Sequence, residues 1–184
     1  MKLDNNYTMN LQTEAKMNVI IEGPDNSGKS TLIEFLKSHT GRSVIHNTVD
    51  KDPESVMAKQ AKENALEGNC IYDRSAVISE YIYCLVLQRT PVININVSHV
   101  ADMCDNAIVI FCMPPVEKVL ATTKDEMPGV VENLEALYNQ YDNLIDELVM
   151  MGKQFFIYDW TAEEDGPEAA LEYINERINK EWNK

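Results

Sequence analysis

Arginine is scarce in this chain. Four arginines (Arg42, Arg74, Arg89, Arg177) join twelve lysines against thirty acids, for a net charge of −14. A surface of that sign repels nucleic acid and acidic membrane, and no basic stripe interrupts it, so nucleic-acid partners and membrane partners are both excluded as expectations. An anionic small molecule can still bind where the few cations gather in a pocket. No apolar run reaches the ~20 residues of a membrane span, and the first sixteen residues are too polar for a secretory signal. The four cysteines (Cys70, Cys84, Cys104, Cys112) contain no Cys-x-x-Cys pair, and the three histidines (His39, His46, His99) show no ligand spacing with them. Reduced thiols, no zinc site and a cytoplasmic location are the expectation.

What is present is one domain's worth of alternating pattern. At 184 residues and 20.9 kDa the chain can bury one good core and not two. Residues 1–16 read as a polar leader and residues 17–184 as a single domain. Short apolar runs at Asn18–Glu22, Ser43–His46, Asn69–Tyr72, Ala107–Cys112 and Lys153–Asp159 predict five strands. Being nearly continuous rather than alternating, they predict parallel strands covered on both faces. A helix is expected over Lys29–Ser38, another from Pro53, and a third carrying Val77, Ile78, Tyr81, Ile82 and Leu85 at helical spacing. A longer stripe from Val131 to Leu148 ends at Gly152, and a last helix starts near Pro167. Strand–helix alternation implies right-handed crossovers, hence an α/β fold with a five-stranded parallel sheet and helices on both faces.

The sharpest signal is Gly23-Pro-Asp-Asn-Ser-Gly28-Lys29-Ser30, which fits G-x-x-x-x-G-K-[ST] at every fixed position between a predicted strand and a predicted helix. Glycines let the backbone wrap a phosphate so that successive N–H groups point inward, and the helix adds the positive end of its dipole. The donor phosphates of ATP are therefore expected on Gly23, Asn26, Ser27 and Gly28, then on Lys29, Ser30 and Thr31. Lys29 is expected at the β- and γ-phosphates and the Ser30 hydroxyl on Mg²⁺.

A phosphate loop alone does not name a reaction. The chain has no Asn-Lys-x-Asp guanine reader, but it has Tyr72-Asp73-Arg74-Ser75 at the end of the third strand. In an open parallel sheet that end faces the ligand. Asp73 there can orient Mg²⁺ or accept a proton, and Arg74 can bridge two phosphates.

With these residues the sequence resembles the thymidylate kinase family of nucleoside and nucleotide kinases. The resemblance rests on Ile21–Thr31, on Tyr72–Ser75 and on the strand and proline turn Ile108-Val-Ile-Phe-Cys-Met-Pro-Pro115. It implies a single P-loop kinase domain that uses Mg-ATP to phosphorylate a deoxynucleoside 5′-monophosphate, and a homodimer packed through helices. It also implies Asp25 on the acceptor sugar's 3′-hydroxyl, with Asp73 and Arg74 placing metal and phosphates. His46 and Tyr81 are the further candidates for the acceptor pocket, with Tyr83 close by.

The chain departs from that pattern. Asn26 stands where a loop arginine is common, and the expected lid, Val116 to Gly129, holds Lys118 and Lys124 but no arginine. Lys124 is the candidate lid cation, a point charge in place of a planar fork. Two alternatives stay open. The run Asp73 to Tyr83 also resembles the Glu-Arg-Ser segment of deoxynucleoside kinases, and an arginine-free lid suits a nucleotide-binding sensor with weak catalysis.

Overall fold

The computed structural model describes residues 17–65, 68–121, 130–162 and 166–182. Its strands are β1 (Val19–Glu22), β2 (Ser43–His46), β3 (Cys70–Asp73), β4 (Ile108–Cys112) and β5 (Phe156–Tyr158). They form one parallel sheet in the order β2-β3-β1-β4-β5. The helices are α1 (Lys29–Thr40), α2 (Pro53–Glu63), α3 (Ala76–Val86), α4 (Val97–Asn106), α5 (Val116–Leu120), α6 (Leu134–Met150) and α7 (Pro167–Trp182), with a 3₁₀ turn at Val131–Asn133.

Alternation along the central strands builds two cores. Val19, Ile21, Ile108 and Ile110 face Leu32, Ile33 and Leu36 of α1 and Ala170 and Ile174 of α7. Ile20, Val109 and Phe111 face α3, α4 and α6 through Ile78, Ile82, Met103, Tyr141 and Leu144. Each such fully buried aliphatic side chain contributes roughly 2 kcal/mol of transfer free energy, which lets four-residue strands hold together. Because β1 lies at the sheet centre, the loop that follows it is braced by β3 on one side and β4 on the other.

Helix ends follow local chemistry. Asp52 caps α2 by accepting from the Ser55 amide, with Pro53 in the first turn. Gly41 ends α1 at φ 68°, its amide donating to the Lys37 carbonyl, and Gly152 follows α6 at φ 69°.

Two expectations need correction, and one helix is new. β2 is an edge strand with Ser43, Ile45 and His46 exposed, so it is not covered on both faces. The fifth strand is three residues long, since Lys153–Phe155 and Asp159 fall outside the ladder. Residues 97–106, for which no element was expected, form α4, an amphipathic helix that buries Val100, Ala101, Met103 and Cys104. A capping box starts that helix: Asn96 accepts from the Ser98 and His99 amides, and its own amide donates to His99 Nδ1.

Two of the four arginines are structural. Arg42 is buried and donates to the Met17 carbonyl at 2.6 Å, and buried Arg177 donates to Cys104 and Gln154 oxygens. Among the described residues no helix is long and apolar enough to cross a membrane.

Candidate active site

The loop from Gly23 to Ser30 leaves β1 and turns directly into α1. Gly23 has φ 143° and Gly28 φ 91°, where an L side chain is strained. Packing forbids a side chain as well: a Cβ on Gly23 would lie 2.5 Å from the Cys112 carbonyl oxygen, and one on Gly28 2.7 Å from Trp160 Cδ1. Gly28 offers α1 no side-chain cap, which leaves amides of its first turn for an anion. The buried Ser27 hydroxyl has no hydrogen-bond partner among the described residues. Lys29 folds back over the loop, its Nζ donating to Gly23 O at 3.0 Å and Pro24 O at 2.5 Å. Burial, and then the charge of Arg74, lowers its pKa to about 8, against the opposing pull of Asp25. An ammonium so short of compensating charge gains most from an arriving phosphate.

A cleft of about 530 Å³ opens over this loop, lined also by Asp73, Arg74, Tyr158 and Trp160. Ser30 and Asp73 both face it, and a hydroxyl with a carboxylate is a hard-oxygen donor set suited to Mg²⁺. Mg²⁺ keeps waters and substrate oxygens as its other ligands, so the two residues fit the ion. The glycine cradle and Lys29 likewise fit the donor phosphates.

A second, smaller cavity of about 120 Å³ lies between α2 and α3. Val56 and Lys59 form one wall, Ser79, Glu80 and Tyr83 the other, and Asn47 to Asp50 close one side. Arg89 and Val130 also line it. Asp25 and Arg74 line both cavities. They pair directly, Arg74 Nη2 with Asp25 Oδ1, while Tyr83 donates its hydroxyl to Asp25 Oδ2 at 2.7 Å. The Arg74 guanidinium carbon sits 5.3 Å from the Tyr83 ring centroid, a cation–π contact, and Nη1 reaches the Gly23 carbonyl at 3.4 Å. Burial pushes the Tyr83 phenol up, so it stays protonated and donates. Arg74 itself has φ 69°, unusual for a residue with a side chain.

Two buried carboxylates anchor this arrangement from below. Glu22 accepts from the Gly23 and Ser75 amides and from the Ser79 and Tyr141 hydroxyls. Glu63 accepts from Asn47, Ser75 and Ala76. Burial, reinforced by the charge of Glu22, raises the Glu63 pKa to about 7 against those three hydrogen bonds.

The sequence candidates are thus distributed as follows. Asp25 to Thr31, Asp73 and Arg74 come together around one cleft, while Gly23 starts the loop and does not line it. His46 lies beside them at the end of β2, its Nδ1 2.9 Å from Asp73 Oδ2, but its side chain is 67% exposed and lines neither cavity. Tyr81 also lines neither; it packs against the α3–α4–α6 core, and Tyr83, two residues on, takes the pocket position. Lys124 lies outside the described residues. Sequence reasoning missed Lys59, Asp50, Arg89, Trp160, Glu22 and Glu63. Glu63 alone left a trace, as an acid seven residues after Val56 on the inward face of α2.

No protein-family model and no curated protein sequence matches the chain. Solved structures share its fold. The YorR protein from Bacillus subtilis, in complex with phosphorylated GDP, superposes with a TM-score of 0.63 at 15% identity, over 86% of this chain and 96% of that one. Deoxyadenosine kinase from M. mycoides, with products dCMP and a flexible dCDP bound, gives 0.54 at 18% identity over 89% and 99%. The same kinase with bound dATP gives 0.54 at 19% identity over 86% and 99%. The chain therefore has the α/β fold of a single P-loop kinase domain. Identities this low carry the fold and leave the activity to the site.

Proposed function

We propose that the protein is an ATP-dependent kinase of deoxynucleoside monophosphates, with Lys29 and the loop amides binding the donor phosphates in the larger cleft. The observation that carries this reading is the Asp25–Arg74 pair, shared by the cleft and the smaller cavity. It makes their junction the place where donor and acceptor meet, with a fixed cation at that point. Arg74 is positioned to stabilise charge on a phosphoryl group in passage. Ser30 and Asp73 would hold Mg²⁺, which neutralises phosphate charge when bound. Asp25, oriented by Arg74 and Tyr83, is the group to accept a sugar hydroxyl.

The state of the carboxylates favours a monophosphate acceptor. A phosphate monoester has its second pKa near ~6 and arrives with its nucleophilic oxygen already deprotonated. A nucleoside hydroxyl needs a carboxylate base. Every acid lining the acceptor cavity is engaged: Asp25 with Arg74 and Tyr83, Asp50 with Lys59 and Ser55, Glu80 with the Val92 amide. Of the three cations in the same cavity, Lys59 and Arg74 are the partners of Asp50 and Asp25, and Arg89 forms no ion pair among the described residues, so it is the cation left for an acceptor phosphate.

The second reading, a deoxynucleoside kinase, draws support from the fold shared with the M. mycoides deoxyadenosine kinase. Its base would have to be Asp73, which lines the phosphate cleft rather than the acceptor cavity and is held by His46. Chromatography of products from Mg-ATP with dTMP, dUMP, dGMP, dCMP, dAMP or thymidine decides between them. A diphosphate is expected from one or two monophosphates. A monophosphate from thymidine alone would establish the second reading, and tight ATP binding without product would replace both with a sensor.

A further inference from the structure

Glu63 is fully buried at the end of α2, where the only other buried side chain of the helix is Val56, two turns earlier. Its Oε1 accepts from Asn47 Nδ2 at 2.7 Å and the Ala76 amide at 2.8 Å, and its Oε2 from the Ser75 hydroxyl at 2.7 Å. These donors belong to the β2–α2 connection and the start of α3. A single carboxylate therefore ties together both walls of the smaller cavity. An apolar residue at position 63 would leave Asn47 and Ala76 with buried donors lacking an acceptor.

The connection continues to Arg74. The same Asn47 Nδ2 that reaches Glu63 also donates to the Arg74 carbonyl at 2.8 Å, and the Asn47 amide donates to the Asp73 carbonyl at 3.1 Å. Arg74 occupies the left-handed region at φ 69°, a conformation that persists only where surrounding contacts over-determine it. On its other side the Arg74 amide donates to Ile21 O at 3.0 Å and the Ser75 amide to Glu22 at 2.6 Å. Asn47 supplies the remaining hold, and Glu63 fixes which way Asn47 points.

We propose that Glu63 is a positioning residue for phosphoryl transfer, acting through Asn47 to keep the Arg74 peptide left-handed and its guanidinium at the junction of the two cavities. This rests on the transfer reading above. Glu63 lines neither cavity, so it acts only through the residues it holds: Asn47, which bonds the Arg74 carbonyl, and Ser75 and Ala76, which follow Arg74 in the chain. A glutamine can substitute. Its Oε1 keeps the Asn47 and Ala76 bonds on which the positioning depends; it loses only the acceptor for Ser75, whose oxygen goes on capping Val77 and Ile78 while its proton turns to Met103 Sδ, 3.2 Å away. An alanine cannot.

The test compares full-length E63Q, E63A, N47A and the E63A/N47A double variant with wild type, well below the lowest melting temperature of the five. E63A and N47A are expected to lower kcat/KM for the acceptor about tenfold, the scale of one lost charge-assisted hydrogen bond, with KM for Mg-ATP changed by less than about twofold. E63Q is expected to restore most of the loss, and the E63A/N47A double variant to be no worse than its worse parent. A folded E63A with wild-type acceptor kinetics overturns the proposal, as does an E63Q as defective as E63A or a double variant with additive losses. Should the wild type transfer no phosphoryl group, the function falls and hydrogen exchange decides the positioning role separately. Faster exchange of the Arg74 and Ser75 amides in E63A and N47A, but not in E63Q, supports it, and equal rates in all of them overturn it.

Discussion

Arg74 Nη2 pairs with Asp25 Oδ1 where the larger cleft meets the smaller cavity, so one ion pair lines both. The two residues should nonetheless fail differently. Asp25→Ala should weaken acceptor binding more than ATP binding, because the carboxylate holds Tyr83 on the acceptor side. Arg74→Ala should lower kcat by about 10³ or more, the lower end of what a positioned arginine gives phosphoryl transfer. Steady-state kinetics with both substrates varied separate the two. Equal losses for both substrates in Asp25→Ala would remove it from the acceptor site.

Lys29 predicts a pH dependence with a definite sign. With its pKa near 8 in the free protein, the ammonium that binds phosphate is progressively lost above that value. Nucleotide affinity should therefore fall as pH rises through 8, and binding near pH 8 should take up protons. Calorimetry in two buffers of different ionisation enthalpy checks this; identical heats would show no proton uptake.

The same lysine is costly to the fold. A folded-state pKa of about 8 against an ordinary 10.5 means that unfolding binds protons between those values, so stability rises across that interval. At neutral pH the buried charge costs about 3 kcal/mol. Lys29→Met should abolish transfer while raising the melting temperature at pH 7, a trade of stability for function.

Glu63 gives the opposite slope. Its folded pKa is raised to about 7 from 4.5, so the native state keeps a proton that the unfolded state releases between those values. Stability should fall as pH rises from 4.5 to 7 and then level off, by about 3 kcal/mol. Urea unfolding of E63Q at pH 5, 6, 7 and 8 should show that component of the slope removed.

Trp160 lies against Gly28 on the phosphate cleft and is 46% exposed. Nucleotide binding should change tryptophan emission, and Trp160→Phe, which leaves Trp182, should remove the change. Gly28→Ala should lose the signal by another route, since its Cβ would collide with the indole and its φ of 91° is strained.

Local signals carried much of the fold. Strand–helix alternation and the Gly23–Ser30 spacing place the sheet, the loop and α1, since each depends on neighbouring residues. The edge position of β2 was not read from the sequence, because Val44 and Ile45 look like a buried run; its polar ends, Ser43 and His46, were the available hint, and the strand order exposes it. Tyr81 and Tyr83 illustrate the same limit. Both sit on α3, and periodicity selects Tyr81 as one of a stripe; which of them meets Asp25 depends on where the phosphate loop lies relative to α3. Glu22, and Glu63 but for its place on the inward face of α2, went unread for a related reason. An acid in sequence reads as surface until distant donors are assembled around it: Ser75, Ser79 and Tyr141 for Glu22, and Asn47, Ser75 and Ala76 for Glu63.

The placement of the arginines has a kinetic consequence. Arg42 and Arg177 lie inside the fold, and Arg74 and Arg89 line the smaller cavity, so no arginine is left to soften the surface of a chain of net charge −14. A nucleotide approaches through a repulsive field and meets attraction only at the mouth of the site. Its association rate should therefore increase with ionic strength as the outer field is screened over ~8–10 Å, the reverse of the usual behaviour for a charged ligand entering a cationic pocket.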